Sequence, residues 1–315
     1  MAVRALVVSN MLPDPMHPER GSFVRDQVAA LRELDGLEVE LLEFSPGARS
    51  LARAWLHARA LRGARYDVVH AHFGLTGWLA LRLRARVRAL TVHGTDLLHP
   101  RTRLATAAVL PRFDLVAAVS QSLLAQLPSA AARRRAQVLP CGVDTQRFRP
   151  VAREQARAAL GLERERPYVL FPADPARAEK RYDRALALCA AAGAELLTLG
   201  GVAPERVPLW VNAANAVVVP SEREGFGLAT LEALACEVPV LATPVGIHAE
   251  AIDGLEGSLC APFEIARWRA VLEPHLTATA GASDAGARER ALRYSSARMA
   301  ERVSEAWRVA LERAR

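Results

Sequence analysis

Lysine is nearly absent from this chain. Of its 41 basic residues one is lysine, Lys180, and the rest are arginine. A composition that avoids lysine singles out the one it keeps. Long apolar runs are also missing. Hydrophobic residues make up 51% of the chain, ample for buried cores, yet no run approaches the ~20 residues a membrane span needs. No signal-peptide layout precedes the strand-like run Ala2–Val8, so a cytoplasmic protein is expected. The four cysteines, Cys141, Cys189, Cys236 and Cys260, lack metal-ligand spacing and sit in apolar contexts. They read as reduced core residues in a cytosolic protein. No G-x-G-x-x-G turn follows the first strand, which counts against a nucleotide-cofactor oxidoreductase. Nucleic acid has charge in its favour but neither a motif nor interleaved aromatics, so no nucleic-acid partner is expected.

The 315 residues suit two domains of ordinary size. Charge divides unevenly between them. Residues 1–150 hold 21 arginines against 12 acidic residues, a net of +9; the remainder holds 20 basic and 22 acidic residues, a net of −2. The basic half points to an anionic partner, such as a membrane surface or a phosphorylated acceptor, although heavy arginine use throughout also accounts for it.

The most informative stretch is Pro220–Ala235. It leaves an apolar strand, Ala216–Val219, passes a glycine-bearing loop and enters a helix. Gly225, Phe226, Gly227 and Leu228 lie at the helix start, where backbone N–H groups favour phosphate oxygens. Glu224 and Glu232 bracket the turn, and carboxylates suit neighbouring sugar hydroxyls. From Gly227 to Glu232 the helix rises about 7.5 Å, roughly the span from a diphosphate to its own ribose. Two surface glutamates on an ordinary strand–loop–helix junction are the plainer reading. Against it, Glu232 lies beside the apolar stripe Leu228, Leu231, Leu234 and Ala235, where a half-buried carboxylate is costly without partners.

Glu224–Ala235, followed by Val238–Thr243 and Gly246, resembles the Glu-x7-Glu element E-G-F-G-L-x-x-L-E-A-[LM]-A and the V-P-V-x-A-T strand of the GT4 family, retaining glycosyltransferases of the GT-B fold. The resemblance implies an α/β architecture of two Rossmann-like domains facing each other across a cleft. Residues 1–150 would form the acceptor-side domain, with a C-terminal helix at about 294–315 packing back on it. Residues 151–293 would bind a nucleotide-diphosphate sugar. It further implies that Glu224 holds the donor sugar and Glu232 the ribose.

In the first half, strand-like Ala5–Ser9 leads through a proline-bearing loop to Gly21-Ser22 and a helix to about Leu34. A glycine there permits close approach of a diphosphate, and the family usually has a glycine pair, so Gly21 and Ser22 are candidate phosphate contacts. Arg49–Arg65 reads as a basic amphipathic helix carrying Leu51, Trp55, Leu56 and Leu61, either a solvated helix with a core stripe or one that lies on an anionic membrane. Strands at Asp67–Ala71 and Ala89–Val92 deliver His70, His72 and His93 at their carboxyl ends, where open α/β sheets bind ligands. His-x-His suggests a metal, but no third ligand of matching type appears and no metal is expected. Thr91–Asp96 resembles the family's T-x-H-G-x-D, which places His93 beside the transferred sugar; His70 and His72 read equally as packing groups.

In the second half, Tyr168–Phe171 opens a new sheet and Lys180 starts a helix. Relatives carry an arginine six residues before this lysine, both gripping the diphosphate; here that position is Asp174, and Arg177 is the candidate substitute. The short passage from Leu199 to Val207 implies one strand fewer than usual, with Gly201 and Val202 near the base. Thr277–Gly286 reads as a flexible loop. The expected activity is transfer of a sugar from a nucleotide diphosphate to a hydroxyl with the anomeric configuration retained. Lys180, Glu224 and His93 are the catalytic candidates, and no metal cofactor is expected. A non-catalytic GT-B partner protein is the alternative, motivated by Asp174 and the trimmed second domain. A peripheral position at the inner face of the cell membrane is the expected site of any lipid contact.

Overall fold

The computed structural model describes residues 2–277 and 285–314. The chain separates into two compact units, residues 1–142 with 296–315, and residues 143–295. Each is built on a parallel sheet. The first contains β1 (Val3–Ser9), β2 (Leu37–Glu43), β3 (Tyr66–His72), β4 (Ala85–Val92), β5 (Leu115–Ala118) and β6 (Gln137–Val138), in spatial order β2-β1-β3-β4-β5-β6. The second contains β7 (Tyr168–Phe171), β8 (Glu195–Thr198), β9 (Ala216–Val219), β10 (Val240–Ala242) and β11 (Leu259–Cys260), in order β11-β10-β9-β7-β8. Strands in such sheets are covered on both faces, which is why β5, β7 and β9 read as unbroken apolar runs and are wholly buried.

Both orders reverse direction once. In the first sheet the chain steps from β1 outward to β2, then returns to β3 on the other side of β1. In the second it steps from β7 to β8 and returns to β9. Such a reversal opens a crevice at the carboxyl ends of the two strands that flank it. Those strands are β1 and β3 in one unit, β7 and β9 in the other.

The first core joins Val24, Val28 and Leu31 of helix Ser22–Arg32 to Met299, Val303, Trp307 and Leu311 of helix Ser296–Arg313, over β1, β3 and β4. The terminal helix is therefore part of the first unit. The segment Val143–Pro150, expected in the first domain, lies with the second. Val143 N–H donates to the Tyr294 carbonyl at 2.8 Å, Arg288 donates to the carbonyls of Thr145 and Phe148, and Asn212 Oδ1 accepts from Val151 N–H. Helix Arg153–Leu160 is anchored there too. Buried Arg157 donates to the Ala213 carbonyl and to Asn215 Oδ1, and it stacks on Tyr168.

Three expectations change. Helix Ala48–Ala60 buries Ala54 and Ala58, not the large side chains: Trp55 stays 39% and Leu56 63% exposed. Small residues at this spacing let the helix sit close to its neighbours and turn its bulky apolar groups outward. Only Cys189 and Cys236 are buried; Cys141 and Cys260 keep part of their surface, and all four are free thiols. Of the expected loop Thr277–Gly286, residues 278–284 lie outside the described residues, while Thr277 ends one helix and Gly286 lies in the next.

Candidate active site

The loops after β7 and β9 meet at the crevice of the second unit. After β7 the chain runs through Pro172–Arg177 into the short turn Ala178–Lys180, then into helix Tyr182–Ala192. After β9 come Pro220–Phe226, then Gly227, whose φ of +101° caps helix Leu228–Ala235. Glu222 N–H donates to the Glu179 carbonyl at 2.9 Å and Arg184 to the Pro220 carbonyl at 3.1 Å, so the two loops are stitched together.

At their junction Lys180 Nζ donates to both oxygens of Glu224, each at 2.7 Å. Ser221 Oγ donates to Glu224 Oε1 at 2.8 Å. The side chains are 15% and 9% exposed. Burial pushes the Glu224 carboxyl up, but the Lys180 ammonium and the hydrogen bonds outweigh it and hold it below its ordinary value. A cavity of about 40 Å³ opens beside the pair, lined by Lys180, Glu224, Ser221, Gly227, Leu228 and Ala229 among others. It thus joins an ammonium, a carboxylate and a helix start, where backbone N–H groups have no intrahelical acceptor.

The turn itself depends on two glycines and one histidine. A Cβ on Gly246, at φ +61°, would lie 2.2 Å from the Phe226 carbonyl oxygen and 2.9 Å from Glu224 Cβ. A Cβ on Gly227 would lie 2.5 Å from His248 Nε2. His248 is fully buried and its Nδ1 is 2.9 Å from the Thr243 carbonyl, which can only accept, so Nδ1 carries the proton and Nε2 presents a lone pair to the turn without a hydrogen-bond partner. The sequence did not single out His248. Its position two residues after Gly246, just past the matched element, was the available signal.

The remaining candidates fall as follows. Glu232 is half-buried on helix Leu228–Ala235, and Phe226 is buried with its ring 6.3 Å from Tyr294. Gly201 and Val202 follow β8 in a turn closed by Val202 N–H and the Leu199 carbonyl. The Arg177 guanidinium, about half exposed, is engaged by Glu179, with Nη2 to Oε1 at 2.8 Å. Asp174 Oδ1 accepts from Ala176 N–H and shapes its own loop.

In the first unit, Gly21 has φ +69°, and a Cβ there would lie 2.3 Å from the Met11 carbonyl oxygen. The Ser22 N–H is engaged by the Glu19 carbonyl. The next residue, Phe23, brings its ring to 4.9 Å from that of His93, so the start of helix Ser22–Arg32 packs against His93. Asp96 accepts from the N–H groups of His93 and Gly94 and fixes that loop; burial pushes its carboxyl up to about 6. Among the described residues no group of three or more His, Cys, Asp or Glu side chains is placed to hold a metal ion.

Residues 9–147 match the family described as Glycosyltransferase Family 4, and residues 154–278 match Glycosyl transferases group 1. The chain therefore belongs to the group 1, GT4-like glycosyltransferases. It is 31% identical over 313 residues to a D-inositol 3-phosphate glycosyltransferase of Nocardia farcinica, across 82% of this chain and 68% of that protein. It is 30% identical to a protein of the same description from Mycobacterium marinum, across 84% and 66%. The chain thus spans about two thirds of the length of these relatives. Among solved structures, a sucrose-phosphate synthase from Thermosynechococcus elongatus aligns with a TM-score of 0.71 at 21% identity, covering 97% of this chain and 98% of that one. Anabaena HepE in complex with UDP and glucose aligns with a TM-score of 0.69 at 17% identity, covering 96% and 98%. These establish the GT-B fold.

Proposed function

We propose that this glycosyltransferase moves a sugar from a nucleotide diphosphate to a hydroxyl acceptor with retention of the anomeric configuration. The observation that carries the reading is the Lys180–Glu224 pair at the β7/β9 crevice, beside the start of helix Leu228–Ala235. A diphosphate bound there meets the Lys180 ammonium and helix-start N–H groups, which stabilise the charge of the leaving nucleotide. Glu224 accepts from the donor sugar's hydroxyls and Glu232 from the ribose. On the first unit, we assign the Gly21 turn to phosphate, with Ser22 engaged by its own loop, and His93 to the sugar. Charge stabilisation by these groups does not call for a metal ion, so a chelator leaves turnover unchanged on this reading.

Thermal stabilisation by UDP, GDP, ADP and their sugars identifies the base. Uridine is the first choice, because the HepE structure was determined with UDP and glucose. Glu232→Ala is expected to weaken nucleotide binding at least about tenfold by calorimetry, the worth of one or two hydrogen bonds to a charged group. Unchanged affinity would remove the ribose assignment. For the acceptor, the relatives' D-inositol 3-phosphate and the +9 charge of residues 1–150 both favour a phosphorylated polyol. The rival, a non-catalytic partner protein, rests on Asp174 and is rejected by measurable donor hydrolysis or transfer.

We also propose peripheral contact with an anionic membrane through helix Ala48–Ala60. Trp55 and Leu56 project outward beside Arg53 and Arg59, and Arg82 stacks on Trp55 at 4.9 Å. Co-sedimentation with phosphatidylglycerol vesicles tests it. Leu56→Asp should release the protein, and equal retention by neutral vesicles would sink the idea.

A further inference from the structure

Three rings stand in a row at the carboxyl ends of β3 and β4, those of His70 and His72 buried and that of His93 half-buried. His70 stacks on His72 with centroids 4.8 Å apart, and His72 stacks on His93 at 5.1 Å. His70 and His72 touch by stacking alone, and each has hydrogen-bond partners of its own. Trp307 Nε1, which can only donate, lies 3.1 Å from His70 Nδ1. His70 is therefore neutral, with its proton on Nε2, and donates to Thr91 Oγ1 at 2.8 Å. His72 Nδ1 and His93 Nε2 are 2.9 Å apart, so one donates to the other.

The direction of that bond follows from the opposite edge of His72. Its Nε2 is buried and has no partner. If Nε2 carried the proton, a buried N–H would be orphaned, the costlier and rarer of the two defects. With the proton on Nδ1, only a lone pair is left over. His72 then donates and His93 Nε2 accepts. Being neutral, His93 must hold its own proton on Nδ1. Burial and the two neighbouring histidines lower its pKa well below 6.5, in keeping with a neutral ring. Its Nδ1 is neither enclosed nor hydrogen-bonded among the described residues. Phe23 and Phe73, with centroids 4.9 and 4.7 Å away, hold the ring in place.

We propose that His72, stacked between His70 and His93, is a positioning residue that locks His93 as the neutral Nδ1–H tautomer, so that the site presents a fixed hydrogen-bond donor to a sugar oxygen. The step from tautomer to sugar rests on the reading of His93 given above; the tautomer itself does not. A donor of fixed direction selects a ligand with an acceptor oxygen at that point, and it cannot serve as a general base through Nδ1.

The test is a long-range proton–nitrogen correlation spectrum of the whole protein labelled with 15N-histidine, with the His93 signals assigned from His93→Gln. The expected spectrum shows His93 with a protonated Nδ1 and an unprotonated Nε2. His72→Asn, whose amide N–H falls where Nδ1 was, should keep that pattern. His72→Leu should lose it and raise the donor-sugar KM about three- to tenfold, one hydrogen bond's worth, with kcat little changed. A wild-type His93 protonated on Nε2 overturns the proposal whether or not the leucine variant folds, and so does a His72→Leu spectrum unchanged at His93. Should the tautomer be as proposed while His93→Ala binds donor sugar normally, the sugar contact falls and the role of His72 as the lock stands.

Discussion

Lys180→Met removes the ammonium and leaves the Glu224 carboxylate buried with Ser221 as its remaining side-chain donor. Breaking a buried pair from one side costs about 3–5 kcal/mol, since the other charge is left uncompensated. The Ser221 hydroxyl and the small neighbouring cavity place this case near the lower end, at about 3 kcal/mol. For a unit of roughly 150 residues that is a fall of about 6–12 °C in its melting temperature. The pH dependence changes sign as well. In the wild type the Glu224 carboxyl lies below its ordinary 4.5. Its contribution is therefore complete above that value and is lost as pH falls through the lower folded pKa. Without Lys180, burial acts nearly alone and raises the folded pKa. Stability is then complete below 4.5 and is lost as pH rises through the raised value. Calorimetric melts of wild type, Lys180→Met, Glu224→Gln and the double variant between pH 4 and 8 measure both effects. The double variant should recover most of the loss, because no lone charge remains. A loss under about 1 kcal/mol at pH 8, or stability that still rises with pH in Lys180→Met, would refute the reasoning.

Gly246→Ala forces a Cβ against the Phe226 carbonyl and demands a left-handed residue. A cost of about 2–4 kcal/mol is expected, with nucleotide binding lost sooner than the fold, read by calorimetry beside a urea melt. Gly21→Ala makes the same kind of clash with Met11 in the first unit and should shift Phe23 away from His93, a change visible in the His93 ring signals. Asp96 has a folded pKa of about 6 against an ordinary 3.8, so folding favours its protonated form. The first unit should lose about 2.4 kcal/mol as pH rises from 4 to 7, at 1.36 kcal/mol per pKa unit, and Asp96→Asn should flatten that slope in urea titrations.

Much of the frame was legible because parallel strands advertise themselves. Tyr168–Phe171 and Ala216–Val219 fall where the apolar runs between turn residues placed them. What the sequence could not convey is which strands are neighbours. The return of β9 to the side of β7, with β8 left outside, brings Lys180 and Glu224 into contact across 44 residues of chain. The sequence named both as catalytic candidates, and the structure pairs them directly. His248 was invisible for a related reason. Its place is dictated by the missing Cβ of Gly227, which becomes meaningful only once the turn has its left-handed φ. Helix Ala48–Ala60 misled because its large apolar residues suggested a core stripe, whereas close packing selected Ala54 and Ala58.

The Lys180–Glu224 pair also bears on selectivity under the proposed reading. With no ligand present the two charges satisfy each other, so any anion that draws the ammonium away leaves a carboxylate with too few donors. A bare nucleotide diphosphate offers Lys180 its phosphates but gives Glu224 nothing, and part of its binding energy is offset by the stranded carboxylate. A nucleotide sugar repairs both ends at once: the diphosphate takes the ammonium, and the sugar hydroxyls donate to Glu224. The pair thus works as an internal competitor that only a ligand with both chemistries displaces without loss. Affinity for the intact donor is thereby raised relative to the product that must leave, which is the order a transferase needs if release of the nucleotide is not to hold up turnover.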